Sequence, residues 1–225
     1  MRFGPDSSRQ DPPRGPRSEG GRDSYHHGNL REALIQSALA LIAERGPAGF
    51  TFAEVARAAG VSAAAPYRHF RDRNALIAEI ARLGFERFAV ALEAAWNGGK
   101  PDPVAAIENC GRAYLAFARR EPAAYAAMFE PGFPLEDDAN LLRASEAAFG
   151  VVRRAAEAAS AAWRGTGTRP PPLMMALHIW ALSHGIAALF VGRTDAMRRK
   201  LPMQPEELLE AGLLIYLQSL GLSAA

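Results

Sequence analysis

From Ser24 onward the chain sets its apolar residues at helical spacing, and no alternating β-branched run reaches strand length. A sheet-based core is thereby excluded, and helix packing on helix is the architecture left. Leu30, Leu34, Ala38, Leu41 and Ile42 recur on one helical face until Gly46-Pro47 ends the run. Thr51-Phe52-Ala53-Glu54 has the spacing of a capping box and opens a short helix to Ala59. Gly60 breaks it, Ser62 is placed to cap a further short helix to about Phe70, and Asp72 caps a long one over about 74–97. Later starts fall at Asp102-Pro103, Pro122, the acidic run 136–138, Leu173 and Gln204-Pro205. The expectation is an all-α protein of about nine helices.

Composition removes several function classes. Hydrophobic residues make up 49% and charged residues 22%, so wholesale disorder is excluded. The apolar stretch 172–191 is interrupted by His178, Ser183 and His184, which reads against a membrane span. A single cysteine, Cys110, allows no internal disulfide and no multi-cysteine zinc site. Paired Glu-x-x-His motifs, phosphate-binding loops and dinucleotide glycine motifs do not occur in the sequence, and the adjacent pair His26-His27 makes a poor metal site. The expectation is no enzyme, no metal and no cofactor. Residues 1–23, rich in Pro, Gly, Ser and Arg, read as a disordered tail. Residues 1–82 hold twelve arginines against nine acids, whereas the rest holds fourteen basic residues against fifteen acidic. A basic front permits a nucleic-acid contact there; a plain solvated surface accounts for the charge equally well.

The stretch from Thr51 to Leu76 carries the chemistry. It reads helix, glycine turn, helix, the arrangement of a DNA-binding helix-turn-helix. Gly60 supplies the positive φ of a tight turn, and Val55, Val61 and Phe70 are the apolar residues that lock the pair to the first helix. Ser62 would cap the second helix, whose first turn would face outward with Ala63, Ala64 and Ala65. Alanines let the backbone approach base edges and touch thymine methyls, but make no bidentate hydrogen bonds, so sequence readout must come partly from elsewhere. Tyr67, His69 and Arg73 are phosphate donors in type and position.

Ala59-Gly60-Val61-Ser62, Pro66-Tyr67-Arg68-His69-Phe70 and Asp72-Arg73-Asn74-Ala75-Leu76 resemble the signature of TetR-type transcriptional regulators. Tyr25-His26-His27-Gly28-Asn29-Leu30 and Trp180-Ala181-Leu182-Ser183-His184-Gly185 resemble the subgroup named for a Trp…His-Gly motif in its C-terminal domain. The resemblance implies an N-terminal three-helix DNA-binding domain over 24–82 and a C-terminal helical ligand-binding and dimerisation domain over 83–225. It implies a cytoplasmic homodimer on a palindromic operator in double-stranded DNA, and a small apolar or amphipathic effector that releases a repressor. By similarity Thr51, Tyr67, His69 and Arg73 hold phosphates, the Ala63–Ala64 end faces the bases, and Ser62 belongs to the same DNA-binding set. Arg73 stands where Lys is usual and Asn74 where Glu is commoner.

The C-terminal half leaves alternatives open. Trp180 and His184 share one face of an apolar helix, with Met174, Leu177, Ala181 and Ala188 nearby. His184 is either a hydrogen-bonded core residue or a wall of a ligand cavity. Phe88, Cys110, Tyr114, Phe117, Tyr125, Phe129 and Phe149 are further candidate walls, each equally readable as core, and Cys110 reads as a small buried hydrophobe. Gly185 is placed to let a neighbouring helix approach. The two most apolar helices either bury each other inside one chain or meet a second copy in a four-helix interface. A constitutive DNA-binding protein whose C-terminal half only dimerises is the alternative function.

Overall fold

The computed structural model describes residues 22–164, 169, 171–190 and 203–222, with side chains described from Leu30 onward. Eight α-helices form among the described residues: α1 Arg22–Arg45, α2 Phe52–Ala58, α3 Arg73–Trp96, α4 Pro103–Arg120, α5 Pro122–Phe129, α6 Ala139–Ala162, α7 Pro172–Phe190 and α8 Pro205–Ser219. Most of the expected tail, residues 1–21, lies outside the described residues. Arg22 and Asp23 differ from the expectation by belonging to α1, because extending an existing helix needs only the inexpensive propagation step.

The starts follow their caps. Thr51 and Glu54 form the reciprocal capping box of α2. Asp72 accepts from the Ala75 amide at 2.8 Å, and Asp102 accepts from the Val104 and Ala105 amides at 3.0 Å each. The acidic run behaves differently from expectation: Leu135–Asp137 is a 3-10 turn, and only Asp138 caps α6.

The short helix expected from Ser62 to about Phe70 does not form as an α-helix. Over 62–70 the chain makes helical turns, of which only Pro66–Arg68 is a regular 3-10 element, and the cap position is Ala65, without a side-chain bond, rather than Ser62. Pro66 is the cause. It has no amide to return to the Ser62 carbonyl, so the Ala65 amide takes that carbonyl at 3.0 Å in a tighter i to i−3 bond.

Two layers result. The head is α1, α2 and the 62–70 turns, closed around Leu34, Ala38, Val55, Phe70 and Leu76. The body is built on α3, which runs from the head into the C-terminal half and lies along α4, α5 and α6. Close approaches fall at glycines: a Cβ at Gly84 would stand 2.8 Å from the Met128 Sδ, and one at Gly212 would stand 2.9 Å from a Leu182 methyl. Gly185 does not have the expected role within the chain, since no atom lies within 4 Å of where its Cβ would be. It sits on the outward face of α7, with Met174, Leu177, Ala181 and Ala188 also exposed. By length and composition alone α7 is long and apolar enough to cross a bilayer, but in the fold its inner face packs on α4, α6 and α8 as a core helix does.

Candidate functional site

The head presents one outward patch. Ser62, Ala63, Ala64 and Tyr67 are at the surface, and the Tyr67 ring is propped edge-on against Phe52, centroids 4.9 Å apart. Gly60 takes a φ of +70°, as the turn requires, and the Val61 amide closes it on the Ala56 carbonyl at 2.9 Å. Alanine methyls thus stand at the surface beside a phenol held by a buried ring.

The other three expected DNA contacts are arranged differently. Thr51 is exposed, but its hydroxyl donates to Glu54 Oε2 at 2.9 Å and accepts the Glu54 amide at 3.3 Å. The Thr51 amide, the Thr51 hydroxyl and Arg45 together hold the Glu54 carboxyl at about 2, below the usual carboxylate range. The Thr51 hydroxyl proton is therefore already committed. His69 is half-buried, with Nε2 below the surface. Arg73 turns inward: its guanidinium donates to the Pro47 carbonyl and lies over the Phe50 ring, 4.8 Å from the centroid. In this arrangement Arg73 ties the start of α3 to the α1–α2 turn instead of facing outward.

Sequence reasoning passed over Arg57 and Arg68. Both are exposed and, among the described residues, neither is in an ion pair. The signal was available for Arg57. With Phe52, Val55 and Ala56 buried, helical periodicity puts residue 57 on the opposite face of α2.

The C-terminal half contains a continuous aromatic cluster. Phe88 of α3 lies 4.8 Å from both Tyr114 and Phe117 of α4, and Trp180 of α7 stands edge-on to Tyr114 at 5.3 Å and to Phe149 at 5.5 Å. Cys110 belongs to this core. Its thiol faces the Leu92 carbonyl at 3.8 Å, and burial pushes its pKa up to about 12, the reverse of what a redox sensor needs.

His184 sits at the edge of the cluster. Its Nδ1 lies 2.8 Å from the Tyr125 hydroxyl and 3.0 Å from that of Tyr114, and the two hydroxyls are 3.4 Å apart. Tyr114 donating to Tyr125, and Tyr125 to a neutral imidazole, satisfies all three groups. Burial holds the His184 pKa below its ordinary value, with Glu130 opposing that shift, and burial pushes Tyr125 up to about 12. A histidine lowered on folding stabilises fully above its ordinary pKa of about 6.5, and that stability is lost as pH falls through the folded-state pKa. The melting temperature is expected to fall more between pH 7 and pH 5 in the native chain than in His184→Gln, whose amide oxygen accepts the tyrosine proton without titrating. Parallel melting curves from the two proteins would refute this.

Beside this trio lies a cleft of about 660 Å³ between head and body. Tyr125, Phe129 and His184 wall one side, with Glu130 at the rim; residues 42–47, the end of α1 and the turn after it, wall the other. Of the nine candidate ligand residues these three reach the cleft. Phe88, Cys110, Tyr114 and Phe117 are fully buried, and Phe149 and Trp180 pack against the same core.

A helix-turn-helix head carried on a long helix into an all-helical body with an aromatic-lined cleft defines a two-domain, helical DNA-binding regulator. Residues 34–80 match the family model described as bacterial regulatory proteins, tetR family, and residues 107–215 match the tetracyclin repressor-like C-terminal domain. A protein of unknown function from a Rhodococcus species is 31% identical, with a TM-score of 0.72 over 88% of this chain and 99% of its own. The TetR family regulator PfmR from Thermus thermophilus shares the fold at 19% identity, with a TM-score of 0.61 over 82% and 97% of the two chains. AibR, in a complex with isovaleryl coenzyme A and operator DNA, shares it at 17% identity, with a TM-score of 0.65 over 83% and 97%. No protein of curated function matches. The chain belongs to the TetR family of transcriptional regulators, which are DNA-binding proteins and not enzymes.

Proposed function

We propose that this regulator is a cytoplasmic repressor that binds a palindromic operator as a homodimer and leaves it when a small apolar or amphipathic effector binds. The observation that carries this reading is the coexistence, on one chain, of the exposed Ala63-Ala64-Tyr67 patch and a bare apolar face on α7 and α8. On that face Met174 is 63% exposed, Ile215 68% and Leu214 50%, with Leu177 and Leu189 beside them. Ala181, Gly185 and Ala188 give the same face of α7 a low profile. A monomer rarely leaves so many large apolar side chains of two helices in water; α7 and α8 paired with those of a second copy would cover them as a four-helix interface. That covering also supports a soluble protein over a membrane-bound one. The complex of AibR with a ligand and operator DNA supports the effector arm, and the cleft between head and body offers a place for an effector that a purely constitutive DNA-binding protein would not need. Trp180 and His184-Gly185 on one helix support placement in the Trp…His-Gly subgroup.

Sequencing the DNA fragments retained by the purified protein tests the reading. Two inverted half-sites about one helical turn apart, or a multiple of it, are the expected result. A single unrepeated site would refute the dimer, and no enrichment would refute operator binding. The double variant Leu177→Glu/Ile215→Glu is expected to elute as a monomer, with roughly 100-fold or more weaker binding to the two-half-site fragment, because two carboxylates per chain would have to be desolvated on association. A variant that stays dimeric would place the interface elsewhere.

A further inference from the structure

The cleft between head and body has a charge character that narrows what enters it. Glu130 at the end of α5 and Glu44 near the end of α1 stand at its edges. Glu130 is in no ion pair among the described residues. The cation on the same wall is Arg45, which is 2.8 Å from Glu54, on the head side, and 3.8 Å from Glu44. Its charge is therefore shared between two carboxylates. The C-terminal end of α1 adds the partial negative charge of its last carbonyls. The N-terminal turn of α5 reaches the cleft through Pro122 and Ala123, and Glu121 at its cap is paired with Arg87 at 2.7 Å. Behind the acidic edge the wall is aromatic: Phe129, half-buried, packs on Tyr125 and His184 with centroids 4.7 Å away in each case, and on Phe85 and Trp180 behind them.

We propose that this cleft is the effector site and that it takes an organic cation, an ammonium or amidinium group carried on an aryl or alkyl body. The assignment rests on the reading of the chain as an effector-responsive regulator and adds the site and the chemical class. Carboxylates at the rim attract the cation and exclude anions, while the aromatic wall offers an apolar surface to the body beside it. An acyl coenzyme A, with its phosphates, is disfavoured by the same charges. The position also supplies a route to DNA. Gly46 and Pro47 form part of the cleft wall, and the Pro47 carbonyl is the group that holds Arg73 at the start of α3. An occupant that shifts this turn shifts the base of the head.

Two probes of equal length test the assignment by calorimetry on the full chain without DNA: 4-phenylbutyltrimethylammonium and 4-phenylbutane-1-sulfonate. The ammonium is expected to bind about tenfold or more tightly than the sulfonate. Glu130→Gln should weaken the ammonium roughly three- to tenfold and leave the sulfonate unweakened. Its carboxylate accepts no hydrogen bond among the described residues, so an unchanged melting temperature is expected alongside. Equal or tighter sulfonate binding, an ammonium affinity insensitive to Glu130→Gln, or no binding of either probe at millimolar concentration would each overturn the proposal. None of these outcomes touches the retained-fragment experiment. Failure of that experiment beside tight ammonium binding would instead leave the cleft standing and remove the operator.

Discussion

Ala64→Glu should cost the protein its operator affinity, by roughly 100-fold or more, while its melting temperature and oligomeric state remain as they were. Ala64 is exposed on the turn after Gly60 and outside the buried core of the head, so a longer polar side chain displaces nothing there. Pressed toward the duplex, the new carboxylate meets the phosphate field at the point of closest approach. A like charge in such a contact costs several kcal/mol. The substituted side chain also holds the backbone away from the base edges that the alanine let it reach. The loss should appear on any DNA sequence and should deepen at low salt, where repulsion is least screened. Binding within about a factor of two of the native protein would show that the 62–70 turn is not the groove-facing element.

The second large effect concerns the body. Phe88→Ala is expected to destabilise the protein by about 3–5 kcal/mol, with a fall in melting temperature on the order of 10 °C. Phe88 is completely buried at the meeting point of α3, α4 and α7, with Tyr114, Phe117 and Trp180 around it. Truncation removes the ring's burial and its edge-to-face contact with Tyr114, and the surrounding rings are too stiff to close the gap. Phe88→Leu keeps most of the volume and should cost under half as much. A Phe88→Ala protein melting within a degree or two of the native one would mean that the aromatic cluster is loosely filled. In that case these residues would again be candidates for a ligand cavity.

Local chemistry explains why much of the architecture was readable. Thr51 and Glu54, three residues apart, bond each other's amides without any help from the rest of the molecule. Gly60 was recognisable because a left-handed turn penalises a Cβ wherever it occurs. The lost helix at 62–70 had its own signal. Pro66 falls at the fifth position of a nine-residue segment, where its missing amide and ring act against an α-helix. Reading that segment by its ends, the Ser62 cap and the Phe70 anchor, passed over its middle.

The candidate sites were legible only in part, because each is made by what stands opposite a residue rather than by the residue. Arg73 has the chemistry of a phosphate donor, yet Phe50 and Pro47, more than twenty positions earlier, draw its guanidinium inward. His184 pairs with Tyr114 and Tyr125 from two other helices, and no spacing along the chain announces that trio. The cleft takes its walls from residues 42–47, 122–130 and 184–188, three stretches with no local pattern in common.

By itself the order of amino acids determined the helices, most of their ends, the glycine turn and the identity of the head, since periodicity, caps and backbone freedom act over a few residues. Tertiary structure alone decided which arginine is spent inside the fold, which aromatics are core and which border a cleft, and which apolar face is left uncovered. Those outcomes depend on distances between helices far apart in sequence. Burial and electrostatic interaction are set by those distances and by the water they exclude, and neither quantity exists until the chain has closed on itself.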